Sequence, residues 1–260
     1  MKRSLLDVIF MSEKRKTVLL LLEDGPKDMN TLLESLQTSR NALLPQLKIL
    51  EEHHLITHFD DTCGLTTIGN IVVERMVPLL NTTEVLDIDV DYWGSRDLSF
   101  IPPYLMDRID ELRSCEMINP PIHDLFSIHR SFSPNIWSPN VYVVTNLMYP
   151  DIDSIIAEAI KNKVEFNYVV SQELLNKIRS KYPDEFAKYI KSEYFKLYVC
   201  KREMKFFHFT FDTFHLVMGL LNTKGDFDHK FLICEGQGAL EWIKELYEYY
   251  LKDSTLITEL

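Results

Sequence analysis

Between Ser12 and Ile68 the apolar residues fall into an order that few folds accommodate: helix, short helix, tight turn, helix, then two brief extended runs. Ser4 to Phe10 and Ser12 to Glu23 read as helices. The second carries Val18-Leu19-Leu20-Leu21-Leu22, a run that must be buried, and is closed by Asp24-Gly25-Pro26. Asp28 is placed to cap a short helix whose Met29, Leu32, Leu33 and Leu36 share one face. Gln37-Thr38-Ser39 turns the chain, and Ala42, Leu43, Leu44, Leu47, Leu50 and Leu55 then repeat at helical spacing as far as His53-His54. Leu55 to Phe59 reads as a strand, Asp60 to Gly64 as a turn, Leu65-Thr66 as the returning strand, and a new helix begins near Thr67. A helix-turn-helix followed by a hairpin is the winged-helix arrangement, predicted for residues 1–80.

Ile68, Val72, Met76 and Leu79 form a stripe on the helix leading out of that unit, a surface suited to a second copy in a symmetric homodimer. Asn81 to Asp97 is acidic and weakly periodic, so a boundary is placed there; Leu105, Ile109 and Leu112 mark another helix within a connecting helical segment, residues 81–115. From 116 to 260 strands and helices alternate. Val141–Val144 and Val164–Val170 read as strands, each followed by helix: Ile152–Lys161 after the first, Gln172–Tyr182 and Pro183–Lys191 after the second. Four close-set strands (Phe195–Cys200, Met204–Thr210, Phe214–Leu220, His229–Cys234) precede a last helix from Gly238 to Lys252. The expected fold class is therefore α/β overall: a mostly α N-terminal winged helix with a β-hairpin wing, and a C-terminal α/β domain built on a mixed sheet.

In a helix-turn-helix the start of the second helix lies in the major groove, where Arg can bond guanine and Asn or Gln adenine. Residues 38–48 hold two cations and no acid. Arg40, Asn41 and Gln46 are the candidates for base edges, Ser39 and Lys48 for phosphates, with Lys14, Arg15 and Lys16 as further phosphate contacts. Pro45 removes one backbone hydrogen bond, so a kink or a later helix start is expected. Asp60-Asp61 makes the wing tip acidic, which disfavours its entry into a minor groove.

A net charge of −11 argues against nucleic acid until it is located: residues 1–80 hold 9 Lys+Arg against 11 Asp+Glu, the remainder 19 against 28. The acidity lies mainly in the second part. No apolar run is long enough to span a membrane, and Met1-Lys2-Arg3-Ser4 opens no signal sequence, so a cytoplasmic protein is expected. Cys63, Cys115, Cys200 and Cys234 are widely spaced without a CxxC pair, and read as reduced thiols with no metal site.

The chain resembles archaeal winged-helix regulators of the ArsR-like type that carry a methanogenesis-regulatory-protein middle domain at their C-terminus. The stretches that carry the resemblance are Leu43-Leu44-Pro45-Gln46-Leu47-Lys48 with Leu50-Glu51-Glu52, Leu65-Thr66-Thr67-Ile68-Gly69, Arg96-Asp97-Leu98-Ser99-Phe100-Ile101-Pro102, His129-Arg130-Ser131-Phe132, Leu197-Tyr198-Val199-Cys200, and Ala239-Leu240-Glu241-Trp242 with Leu246-Tyr247-Glu248-Tyr249-Tyr250. They span nearly the whole chain. The resemblance implies a DNA-binding transcription regulator of a methanogen or related archaeon, with double-stranded promoter DNA as partner and an unnamed effector.

The strand order after Val141 also resembles, more weakly, half of a phospholipase D-like fold such as the sensor domain of TrmB-like regulators. Catalysis there needs HxKxxxxD; counted back from Asp212, the Lys position is Phe207 and the His position Lys205. HExxH, GxSxG, GxGxxG and GxxxxGK[ST] are absent too, so no catalytic residue and no cofactor is expected. Gly236-Gln237-Gly238 reads as an ordinary strand-to-helix connection. His129, Arg130, His208 and Asp212 are the candidates for holding an effector. The alternatives to a regulator are a winged-helix protein-interaction adaptor and a phospholipase D-like phosphodiesterase.

Overall fold

The computed structural model describes residues 4–121 and 138–260. The chain divides into two units, Met1–Asn81 and Thr82–Leu260.

In the first unit, α1 (Leu5–Phe10) and α2 (Glu13–Leu21) start at Ser4 and Ser12, whose hydroxyls accept from Asp7 N and Arg15 N. A two-residue strand, β1 (Lys27–Asp28), precedes α3 (Met29–Ser35), capped by the Asp28 carboxylate on Thr31 N. α4 (Arg40–Glu52) leads into β2 (Ile56–Phe59), β3 (Thr62–Leu65) and α5 (Thr67–Asp87), the last running past the unit boundary. The sheet order is β1-β3-β2. Val18, Leu19, Leu22, Met29, Leu32, Leu43, Leu47, Leu50, Leu55, Val73 and Met76 share one core, as the helical spacing demands.

Two expectations need correction here. The wing turn is shorter than Asp60 to Gly64: only Asp60 and Asp61 turn, both at positive φ (47° and 60°), and Gly64 pairs with Thr57 inside the hairpin. In the proposed dimer stripe, Met76 is consumed by its own unit's core and Val72 packs half-buried against it, whereas Ile68 and Leu79 remain exposed, as does Ile71, which the stripe did not include.

The second unit is built on an eight-stranded mixed sheet. Its strands are β4 (Glu116–Ile118), β5 (Asn140–Thr145), β6 (Glu165–Ser171), β7 (Phe195–Cys200), β8 (His208–Phe211), β9 (Leu216–Gly219), β10 (Phe231–Cys234) and β11 (Ser254–Leu256), in the order β11-β7-β6-β5-β8-β9-β10-β4. β5, β6 and β7 are parallel neighbours and the other pairings antiparallel. Parallel strands need crossover helices: α8 (Ile152–Lys161), α9 (Gln172–Lys181) and α10 (Pro183–Tyr189) serve β5–β6–β7 and bury Ile156, Leu175, Ile178 and Phe186 in one apolar cluster with Tyr168 and Val170. Val144 and Val169, one residue out of phase, face a second cluster beneath the last helix, α11 (Gln237–Leu251).

Residues 81–115, read from the sequence as a connecting segment, supply much of that second cluster. α6 (Val90–Gly94), α7 (Pro103–Met106) and the 3-10 helix Ile109–Ser114 contribute Trp93, Leu105, Ile109 and Leu112. Trp242 Nε1 donates to Leu105 O at 2.9 Å and the Tyr250 hydroxyl to Phe100 O at 3.0 Å, so these two buried aromatics keep their polar atoms paired. Arg96 pairs with Asp228, and Lys230 with Asp89.

The expectation of four reduced cysteines is also corrected: Cys115 and Cys234 form a disulfide, with Cα atoms 4.2 Å apart. The physical reason is register. β10 opposes β4 with Ile233 against Glu116, which sets Cys234 directly across from Cys115. Cys63 and Cys200 are free and buried, and burial pushes the Cys63 thiol up to about 11.

Candidate nucleic-acid interface

The turn between α3 and α4 fixes how the second helix leaves the first. Gln37 takes a left-handed conformation (φ 46°), Thr38 N bonds Leu33 O at 3.1 Å and Gln37 N bonds Glu34 O at 3.2 Å, so the last carbonyls of α3 are satisfied without a glycine. Ser39 then caps α4 through its backbone, its carbonyl accepting from Ala42 N and Leu43 N. Pro45 neither delays nor ends this helix, which runs from Arg40 to Glu52. Having no amide hydrogen, it leaves the Asn41 carbonyl without its intrahelical partner, on the exposed side.

Leu43, Leu47 and Leu50 point into the core; Ser39, Arg40, Asn41, Leu44, Pro45 and Lys48 are exposed. Thus Ser39, Arg40, Asn41 and Lys48 share an outward face. Gln46 does not join them. Its Oε1 accepts from Arg15 Nη1 at 2.7 Å and from the Ser12 hydroxyl at 3.3 Å. Arg15 is correspondingly buried, its Nε donating to Val8 O and its Nη2 to Asp7 O. The assignment of Gln46 to a base edge and of Arg15 to a phosphate is therefore corrected: the two bind each other, tying α4 to α1 and α2. Lys14 donates to the Thr38 hydroxyl at 2.9 Å, beside the helix-turn-helix bend, and Lys16 pairs with Glu13 at 2.9 Å.

A residue that sequence reasoning did not connect to this face is Asp61. Its carboxylate is ion-paired with Arg40 Nη2, and the hydrogen bond from Arg40, outweighing a small burial effect, holds the Asp61 carboxyl below its usual range. The wing turn is held in place by Met29 N, which donates to Asp61 O at 2.8 Å, and by β1, where Asp28 pairs with Thr62. The only forewarning in the sequence is the acidic wing tip; nothing there sets it against the start of α4.

In the second unit, His208 is fully buried in β8, edge-on to Tyr149 and tilted against Phe231. Asp212 lies just beyond the other end of β8, so the structure does not bring these two candidates together. Asp212 instead closes the β8–β9 turn: its carboxylate accepts from Phe214 N at 2.7 Å and His215 N at 3.0 Å and faces His215 Nδ1 at 3.2 Å. Burial raises its pKa, but the hydrogen bonds from His215 and the two amides outweigh that, leaving the carboxyl below its ordinary value. His129 and Arg130 lie outside the described residues. At the two positions where a phospholipase D-like site would need Lys and His, Phe207 stacks on Phe227 at 3.8 Å and Lys205 faces Asp97 at 3.7 Å. Gly236 leaves no room for a Cβ, which would meet Ser114 Oγ at 2.2 Å, so this turn serves close packing of the strand end on the 3-10 helix. Among the described residues no group of three or more His, Cys, Asp or Glu is placed to hold a metal ion, and no helix is long and apolar enough to cross a membrane.

Residues 122–253 match the family described as Methanogenesis regulatory protein FilR1, middle domain, and residues 3–84 the family described as its N-terminal domain. The Methanogenesis regulatory protein FilR1 of Methanothrix harundinacea (strain 6Ac) is 25% identical over 264 residues, covering 97% of this chain and 58% of its own length. The chain thus spans a little over half of that relative. Among solved structures, TrmBL2, an archaeal chromatin protein, aligns over 96% of this chain and 97% of its own at 10% identity and a TM-score of 0.44. A phospholipase D family member, Nuc from Salmonella typhimurium, aligns over 55% of this chain and 97% of its own at 11% identity and a TM-score of 0.37.

Proposed function

Because the chain belongs to the family of the methanogenesis regulatory protein FilR1 through its middle domain, we propose that it is a transcription regulator that binds promoter DNA through α4. The observation that carries the reading is the outward face of α4. Ser39, Arg40, Asn41 and Lys48 project from the second helix of a helix-turn-helix, the first three with no acidic residue of their own helix within a turn, while Leu43, Leu47 and Leu50 anchor it from behind. Glu51 and Glu52 fall at the far end, away from the groove-reading start.

Two copies pair through the exposed Ile68, Ile71 and Leu79 of α5 and read two half-sites from the cytoplasm. The second unit binds an effector, and a signal of that kind acts only by differential affinity for the DNA-competent and incompetent arrangements.

The test is selection of a duplex from a random pool by the full chain, followed by salt titration of the complex. A sequence-specific complex that weakens with salt is expected, and Arg40→Ala lowers affinity for the selected duplex by about 1–3 kcal/mol. A chain that enriches no sequence, or an Arg40→Ala variant that binds as tightly as the parent, overturns the reading; the first result would favour a protein-interaction adaptor.

A further inference from the structure

We propose that Asp61 at the wing tip is a specificity-determining residue, whose carboxylate keeps the Arg40 guanidinium in a closed pair that a matching base edge opens and a bare phosphate backbone does not. This rests on the DNA-binding reading of α4.

The geometry begins with where the carboxylate is held. Asp60 and Asp61 both sit at positive φ, in a two-residue turn where Asn or Gly is the less strained choice. The turn is fastened to the reading unit rather than left to swing: Asp61 O accepts from Met29 N, and Thr62, the next residue, pairs with Asp28 at the head of α3. The acid therefore stands at a fixed place beside the first residue of α4, and its side chain reaches Arg40 Nη2. His58 Nε2 lies 4.0 Å from the same carboxylate oxygen.

The consequence for charge is local. Of the two cations in residues 38–48, Arg40 is already matched by a carboxylate, and Lys48 has no carboxylate partner among the described residues. Sequence-independent affinity grows with each phosphate that a free cation neutralises, because each releases counterions. A paired arginine contributes little to that, and the nearby carboxylate repels the backbone as it approaches. Guanine differs from a phosphate backbone in presenting two acceptors, O6 and N7, in the fork geometry of a guanidinium. It can replace the single contact to Asp61 with two.

The strength of the pair suits an exchange of this kind. The Arg40 and Asp61 side chains are 47% and 53% exposed, and ion pairs so open to solvent are weak enough to break on binding. A buried pair would block the helix permanently. A wing without an acid would leave Arg40 available to any duplex.

The experiment compares the parent chain with Asp61→Asn, which keeps the side-chain shape and tolerates the same backbone conformation. Binding is measured across a salt series to the duplex that the parent selects from a random pool and to a shuffled duplex of the same composition. In the variant the shuffled duplex is expected to bind about fivefold more tightly, with a salt slope steeper by about one unit, while affinity for the selected duplex changes less. The ratio of the two affinities therefore falls. In an Arg40→Ala background the same substitution is expected to leave the ratio unchanged, since the carboxylate then has no guanidinium to restrain. An unchanged ratio in the single variant, or an equal fall of the ratio in the Arg40→Ala background, overturns the inference while leaving DNA binding intact. A parent chain that selects no duplex removes the DNA-binding reading itself, and Asp61 with it.

Discussion

Arg15 and Gln46 show how a single side chain can be read correctly as polar and wrongly as functional. Both fall on segments rich in groups suited to DNA, yet Arg15 is only 4% exposed and the hydrogen bonds of its guanidinium go to Val8, Asp7 and Gln46. A buried charge is tolerated only when its donors are matched, so Gln46 acts as part of the fold. Gln46→Ala is expected to lower stability by about 1–3 kcal/mol, measured by denaturant titration, because a hydrogen bond to a buried cation is lost. Asn41→Ala, on the exposed side of the same helix, should change stability by no more than about 0.5 kcal/mol. The outward placement of Arg40, Asn41 and Lys48 was legible from the leucine spacing alone. That of Gln46 was not, because its inward partner lies 31 residues away, on α2.

At the level of elements, the helix-turn-helix and the hairpin follow from apolar spacing, and the order of elements agrees with it. What periodicity does not reveal are strands of two or three residues, such as β1, β4 and β11, whose existence depends on a partner elsewhere in the chain. Helix ends were blurred for another reason: α3, α4 and α8 are each followed by a non-glycine residue at positive φ (Gln37, His54 and Lys163), so the usual glycine signal is missing. Where glycine does occur at a junction, space requires it. A Cβ on Gly69, in the first turn of α5, would lie 2.0 Å from the Leu55 carbonyl oxygen, which itself accepts from Thr66 N. Gly69→Ala must therefore separate the hairpin from α5, at a cost of roughly 3 kcal/mol. Amide hydrogen exchange would detect this as lost protection at Leu55, Thr66 and neighbouring residues of the first unit; unchanged protection would show that the junction yields without cost.

The whole molecule is where sequence reading was weakest, since the Cys115–Cys234 pairing depends on the register of two strands whose cysteines are 119 positions apart. Spacing along the chain carries no trace of it. A cross-link closing so long a loop stabilises chiefly by restricting the unfolded chain, and Cys234→Ser is expected to cost about 2–5 kcal/mol. Calorimetry of the oxidised parent, the reduced parent and the variant tests this: the last two should melt together, below the first. The link also divides the second unit by connectivity, because β4 to β10 lie between the two sulfurs while α11 and β11 follow them. Tension applied between the two ends of the chain would then pass from Cys115 to Cys234 directly. The intervening strands would sit in a closed ring, shielded from the pull, and full stretching would fall short of the reduced chain's reach by roughly 400 Å.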